Sequence, residues 1–169
     1  MTGAGEYPYD RFMLPIDRVT QHLDAEGISY EVVEHERALS AASEAVASGV
    51  RPDNAAKSVL LRDRDEYRLV VIPASDRLDL GKLADLLDAS RATIRLASEE
   101  EMAADFPDFE LGAIPPLGEM LPAPEIVDRR VLDHERVLCN GGDHTHSVLL
   151  DPREIVRVAG ARIADVCQD

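Results

Sequence analysis

The sequence predicts an α+β fold: a central mixed, largely antiparallel β-sheet flanked by helices. Short β-rich runs alternate with helical periodicities, two of those runs flank a charged tetrapeptide as a hairpin, and no glycine-rich phosphate loop follows a strand. The 169 residues are 45% hydrophobic and 30% charged, a balance suited to one sizeable core. We therefore expect a loose arm over residues 1–14 and a single domain over residues 15–169.

The elements follow in order. Ile16, Val19 and Leu23 recur at helical spacing after Pro15, and Gly27 is a stop signal, so a first amphipathic helix is expected there. Ile28, Tyr30 and Val32 alternate with polar residues, which predicts a strand through Glu34. Ser40 is placed to cap a short helix from Ala41 to Ser48 that Gly49 ends. Lys57 to Arg62 and Tyr67 to Ile72 are β-rich and flank Asp63-Arg-Asp-Glu66, the predicted hairpin. A helix over Leu78 to Leu87 and a short strand over Thr93 to Leu96 come next. Ser98 and Glu101 form a capping-box pattern opening another helix. Phe106 to Pro124 holds five of the ten prolines together with Gly112 and Gly118, and is expected to be a loop. Strands are predicted over residues 125–128, 136–140 and 147–151. Pro152 then opens a helix to Val158, and residues 161–166 have no firm assignment.

Composition excludes several functions. Against 18 basic residues stand 33 acidic ones, a net charge of −15, so most of the surface repels polyanions and a broad DNA footprint is excluded. A local contact with a few phosphates remains open, through a small basic spot in a cleft. The Arg-rich, Lys-poor balance is accounted for by codon bias or a salty habitat. No apolar run is long enough to cross a bilayer. The first residues lack a secretory pattern, and two cysteines are too few for a disulfide framework, so a cytoplasmic setting is expected.

Four groups of residues could carry chemistry. Lys57 opens a β-run among apolar neighbours, where its ammonium either marks an ordinary strand end or points into a cleft to hold a phosphate, carboxylate or carbonyl oxygen. Lys82, within a helical pattern, is expected to be solvated. Gly112-Ala-Ile-Pro-Pro116-Leu-Gly118 combines stiff and permissive residues, a loop able to aim backbone groups at a ligand. Asn140-Gly141-Gly142-Asp143-His144-Thr-His146 joins two predicted strands and reads either as a hairpin turn or as an anion-binding backbone. His35 precedes the Ser40 cap and either lines a cleft or caps a turn. Cys139, Asp143, His144 and His146 make a metal site conceivable but lack a second ligand pair at recognisable spacing. Cys139 is expected to be a buried thiol. No Gly-x-Ser-x-Gly elbow is present, so a covalent serine hydrolase is not expected.

Taken as a set, these segments resemble the YbaK and prolyl-tRNA-synthetase-associated editing domain family, free-standing aminoacyl-tRNA deacylases. The resemblance runs from about Pro15 to Val166. It rests on His35 followed by Ser40-Ala41, on Ala55-Ala56-Lys57-Ser-Val-Leu-Leu, on Val71-Ile-Pro-Ala74, on Phe106-Pro107 leading into Gly112-Ala-Ile-Pro-Pro116-Leu-Gly118, and on Gly141-Gly142-Asp143-His144-Thr145. It implies a YbaK-like fold with the pocket between the lysine strand, the proline loop and the late glycine turn. It also implies hydrolysis of the ester joining a wrong amino acid to the 3′-terminal adenosine of tRNA, with mischarged tRNA(Pro) carrying alanine or another small residue as the first candidate substrate. In that reading Lys57 and Gly112 are catalytic, and His35, Pro116, Gly141, Gly142 and His144 line the pocket. A ribose hydroxyl of the tRNA assists the attacking water, and no metal or other cofactor takes part. The partner is the acceptor end of aminoacyl-tRNA, reached directly or through a synthetase. Two departures bear on amino-acid choice: Pro115 precedes Pro116, and the late turn carries Asp143-His144. A non-catalytic module that only binds aminoacyl-tRNA ends, and a metal-binding protein, are the alternatives.

Overall fold

The computed structural model describes residues 13–169; most of the expected N-terminal arm lies outside the described residues. Among the described residues are five α-helices and eight strands, the strands forming two sheets: α1 (Pro15–Ala25), β1 (Tyr30–Glu34), α2 (Ala41–Ala47), β2 (Ala56–Asp63), β3 (Glu66–Pro73), α3 (Leu80–Leu86), β4 (Ile94–Leu96), α4 (Glu99–Asp105), β5 (Glu125–Asp128), β6 (Val137–Asn140), β7 (His146–Leu150), α5 (Pro152–Ala159) and β8 (Arg162–Ala164). The larger sheet has the order β4-β2-β3-β5-β8, and the smaller the order β1-β7-β6. Pairing is antiparallel except for β3–β5 and β5–β8. The expected mixed, largely antiparallel β-structure flanked by helices is therefore present, with its strands divided between two sheets.

The predicted hairpin pairs Ala56 with Pro73 through Asp63 with Glu66. Its two-residue turn holds Arg64 at φ 57°, the left-handed backbone such tight turns demand. Both expected serine caps form reciprocal boxes, Ser40 with Ser43 and Ser98 with Glu101. Residues 106–124 hold only the short 3₁₀ turn Gly118–Met120. The unassigned tail contributes β8, whose three residues pair with β5. So short a strand carries too little periodicity to be read in advance.

Three apolar clusters explain the layering. The largest lies between the sheets and takes in Val19 and Leu23 of α1, Leu69 and Val71 of β3, Cys139 of β6, Val148 of β7 and Ile155 of α5. On the opposite face of the larger sheet, Leu61, Val70 and Ile72 meet Leu83 of α3 and Val166 and Cys167 of the tail. On the outer face of the smaller sheet, Leu138 meets Ala45 of α2 together with Ala55 and Ala74. Alternation along β6 and β7 thus turns Val137, Cys139 and Val148 inward, and Leu138, Asn140 and Ser147 toward α2. Lys82 departs from the solvated role expected of it. Its Nζ donates to the Cys167 carbonyl (2.8 Å) and pairs with Asp165 (3.4 Å) and Asp169 (3.1 Å), tying α3 to the chain end.

Candidate active site

The hairpin between β6 and β7 positions the late glycine turn. Gly141 N–H donates to the His146 carbonyl (3.1 Å), and a Cβ at Gly141 would stand 2.6 Å from that oxygen and 2.9 Å from Ile16 Cδ1. Gly142 has φ +94°, and a Cβ there would meet Phe109 and Pro15 at 3.0 Å. Both positions need glycine because α1 and Phe109 pack directly on the turn. Their immediate role is close packing, and the Gly141 amide is already engaged.

That packing delivers His144 to the proline loop. The His144 residue is 5% exposed, with Nδ1 3.1 Å from the Ala38 carbonyl and Nε2 2.7 Å from the Leu111 carbonyl. Its own carbonyl accepts from Ala38 N–H, and the Gly142 carbonyl accepts from Glu110 N–H. One side chain thus joins the segment after β1 to the residue preceding Gly112. Gly112 itself is exposed, with φ +79°, while Ala113 to Gly118 are buried, so the loop presents one glycine at the surface and anchors Pro116 beneath it. The anchor continues through Glu125, whose Oε1 accepts from Gly118 N–H at 2.6 Å.

His35 and Lys57 complete the set. The His35 side chain is fully buried, with Nε2 2.9 Å from Ser147 Oγ and Nδ1 2.7 Å from the Glu36 carbonyl. Lys57 is half-buried, and its Nζ donates to the Asp76 carbonyl at 3.2 Å. A parallel bridge between Ala55 and Leu138 joins the two sheets, so Lys57 follows Ala55 as Asn140 follows Leu138, and the lysine comes level with the entry to the glycine turn. Asp76 lines a cleft of about 410 Å³ with Asp53, Pro73, Ser75, Arg130, Asp133 and His134. A neighbouring one of about 540 Å³ shares Asp53 and His134 and adds Arg51 and Asn54. Their basic groups are Arg51, which pairs with Asp53, Arg130, which pairs with Asp128 and Asp165, and His134.

The residues of the metal alternative do not converge. His144 faces two carbonyls, whereas His146 Nδ1 bonds the Asp143 carboxylate at 2.9 Å. Burial pushes the Asp143 carboxyl up, but bonds from His146 and Thr145 outweigh it and hold it below its usual range. Among the described residues no three metal-ligating side chains gather. Burial raises both cysteine thiols well above their ordinary value, so neither is an activated nucleophile.

Two residues without a signal of their own in the sequence, Glu44 and Ser147, belong to the same assembly as Asn140. Glu44 of α2 lies 2.9 Å from Ser147 Oγ and accepts from Asn140 Nδ2 (3.0 Å), and burial raises its carboxyl to about 7. A glutamate amid the alanines of Ala41-Ala-Ser-Glu-Ala-Val-Ala47 is buried with Ala45 alone of that helix, a choice of face that so short a helix does not announce.

Comparison with known proteins now decides the family. The model of the aminoacyl-tRNA editing domain matches residues 35–158. This chain belongs to the aminoacyl-tRNA editing domain family. A proposed trans-editing enzyme for prolyl tRNA synthetase is 27% identical, with a TM-score of 0.81 over 92% of this chain and 98% of that one. A scaffold used for epitope backbone grafting is 28% identical, with a TM-score of 0.80 over 92% and 97%. The hypothetical protein APE2540 is 25% identical, with a TM-score of 0.80 over 89% and 99%. The matched segment of this editing domain runs from His35 to Val158 and so spans the lysine strand, the proline loop and the glycine turn. No described helix is long and apolar enough to cross a membrane.

Proposed function

We propose that this editing domain is a trans-acting aminoacyl-tRNA deacylase, with tRNA(Pro) carrying alanine or another small amino acid as its first substrate. The observation that carries the reading is the convergence on His144 of the glycine turn, the His35–Ala38 segment and the Gly112–Pro116 loop. In a family of editing domains, that convergence fixes the backbone around an exposed glycine where an ester could be held. Likeness to the proposed trans-editing enzyme of the prolyl system supports the choice of tRNA.

In this reading the reaction is attack of water on the ester carbonyl, releasing the amino acid and the terminal ribose hydroxyl. The Lys57 ammonium moves from the Asp76 carbonyl to an oxygen of the substrate, as a compact positive charge can. Backbone groups at Gly112 position the ester, and the free ribose hydroxyl orients the water, so no side-chain base is required. Editing is needed because a synthetase pocket separates amino acids differing by one methylene only about 10- to 200-fold.

The test is release of labelled amino acid from tRNA charged with alanine, cysteine, serine, threonine or proline, comparing wild type with Lys57→Ala. The expected result is hydrolysis of one mischarged ester, at least tenfold slower in the variant, which corresponds to about 1.4 kcal/mol of transition-state stabilisation. Survival of every ester at its spontaneous rate, with retained binding of an aminoacyl-adenosine analogue, would replace the deacylase by a binding module.

A further inference from the structure

The buried polar row behind the glycine turn has a proton count that its geometry dictates. His35 Nδ1 faces the Glu36 carbonyl oxygen, which can only accept, so Nδ1 carries a proton. On the other side, His35 Nε2 lies 2.9 Å from Ser147 Oγ, which lies 2.9 Å from Glu44 Oε1. Ser147 has one hydroxyl proton for these two neighbours. If Nε2 and Glu44 are both unprotonated, one of the two contacts sets lone pair against lone pair in a buried site. One extra proton completes the row. It sits either on Glu44, which donates to Ser147 while Ser147 donates to Nε2, or on Nε2 with the row reversed.

Burial chooses between the two. Glu44 is 3% exposed and the His35 side chain is fully buried, and the reversed row would hold a buried ion pair 3.7 Å apart, whose desolvation is costly. The titratable groups facing Glu44 are His35 at the end of β1, Asp143 in the turn, whose charge repels a carboxylate, and the neutral Cys139 thiol of β6. Asn140 Nδ2 occupies the second oxygen.

We propose that Glu44 is a positioning residue that works in its protonated form: its proton, donated to Ser147 while Ser147 donates to His35 Nε2, ties the segment after β1 to the 141–146 turn and so keeps His144 on the Gly112 loop. Asn140 precedes that turn and Ser147 follows it, and Glu44 grips both. The raised carboxyl, at about 7, places the loss of the Ser147–His35 link near neutral pH, because an ionised Glu44 takes the one Ser147 proton for itself. The structural part stands alone; the effect on activity rests on the deacylase reading.

The experiment follows the imidazole nitrogens of the full chain by ¹⁵N NMR from pH 6 to 9, in wild type, Glu44→Gln and Ser147→Ala. At pH 6 wild-type His35 is expected to be neutral with its proton on Nδ1. Its Nε2 signal should move as pH rises through about 7, stay fixed in Glu44→Gln, and lose all coupling to that transition in Ser147→Ala. A cationic His35 at pH 6, or the same movement in wild type and Glu44→Gln, overturns the proposal. In parallel, kcat/KM for the edited ester, corrected for spontaneous hydrolysis, should fall at least fivefold between pH 7 and 8.5 in wild type and stay level in Glu44→Gln. Parallel profiles overturn the link to the site. If wild type hydrolyses no ester, the deacylase reading fails while the nitrogen signals still decide the protonation of Glu44.

Discussion

Glu125 shows how a single carboxyl can serve a loop only by giving up its charge. It is 5% exposed, one oxygen accepts from Gly118 N–H, and the other has no partner among the described residues. Burial raises its carboxyl to about 8. The folded state therefore binds this proton more tightly than the unfolded chain, so the associated stability is complete below pH of about 4.5 and is lost as pH rises through about 8. We expect the urea midpoint of wild type to fall over that window, by up to about 1.4 kcal/mol of stability per pH unit and group, and Glu125→Gln to flatten the fall. Beside it, Gly118 has no room for a methyl group: a Cβ would stand 2.5 Å from the Ala123 carbonyl. Gly118→Ala should lower stability by about 1–3 kcal/mol, the cost of forced overpacking, measured as a lower urea midpoint at unchanged m.

At the scale of elements, local chemistry was the reliable guide. The hairpin, the Ser40 cap, the Ser98–Glu101 capping box and the proline-opened helices were legible because turn residues and caps act within four positions of themselves. Ser98→Ala removes one such cap from α4, where Glu101 also pairs with Arg95 at 2.7 Å. It should cost about 1 kcal/mol and lower Tm by roughly 2–4 °C for a chain of this size, with no change in deacylation. The glycine turn was legible as a turn but not as a wedge. Besides the His146 carbonyl within the turn itself, what Gly141 and Gly142 avoid is Ile16, Pro15 and Phe109, residues more than 30 positions away, and no local pattern announces such a neighbour. Gly141→Ala is expected to displace His144 and slow ester hydrolysis at least tenfold with the fold retained by circular dichroism. Lys82 follows the same logic, because its partners lie over 80 residues on.

For the whole molecule, charge sets the terms of substrate contact. A chain of net charge −15 can hold tRNA only at a few phosphates, and the arginines, lysine and histidine near the two clefts are too few for a long track. Between 50 and 200 mM salt kcat/KM should therefore fall by less than about tenfold, against the 10³–10⁵-fold loss of a protein making six to ten phosphate contacts. A steeper slope would mean a wider nucleic-acid footprint than this surface offers. By itself the sequence determined the α+β class, the position of nearly every element, and the lysine, proline-loop and glycine-turn motifs, all of which are written in residues close to one another. The division of the strands into two sheets, the parallel bridge that brings Lys57 level with Asn140, and the buried row from His35 through Ser147 to Glu44 were decided only by tertiary structure. Each depends on groups far apart in the chain meeting away from water, where a proton or a methyl group counts for far more than it does at the surface.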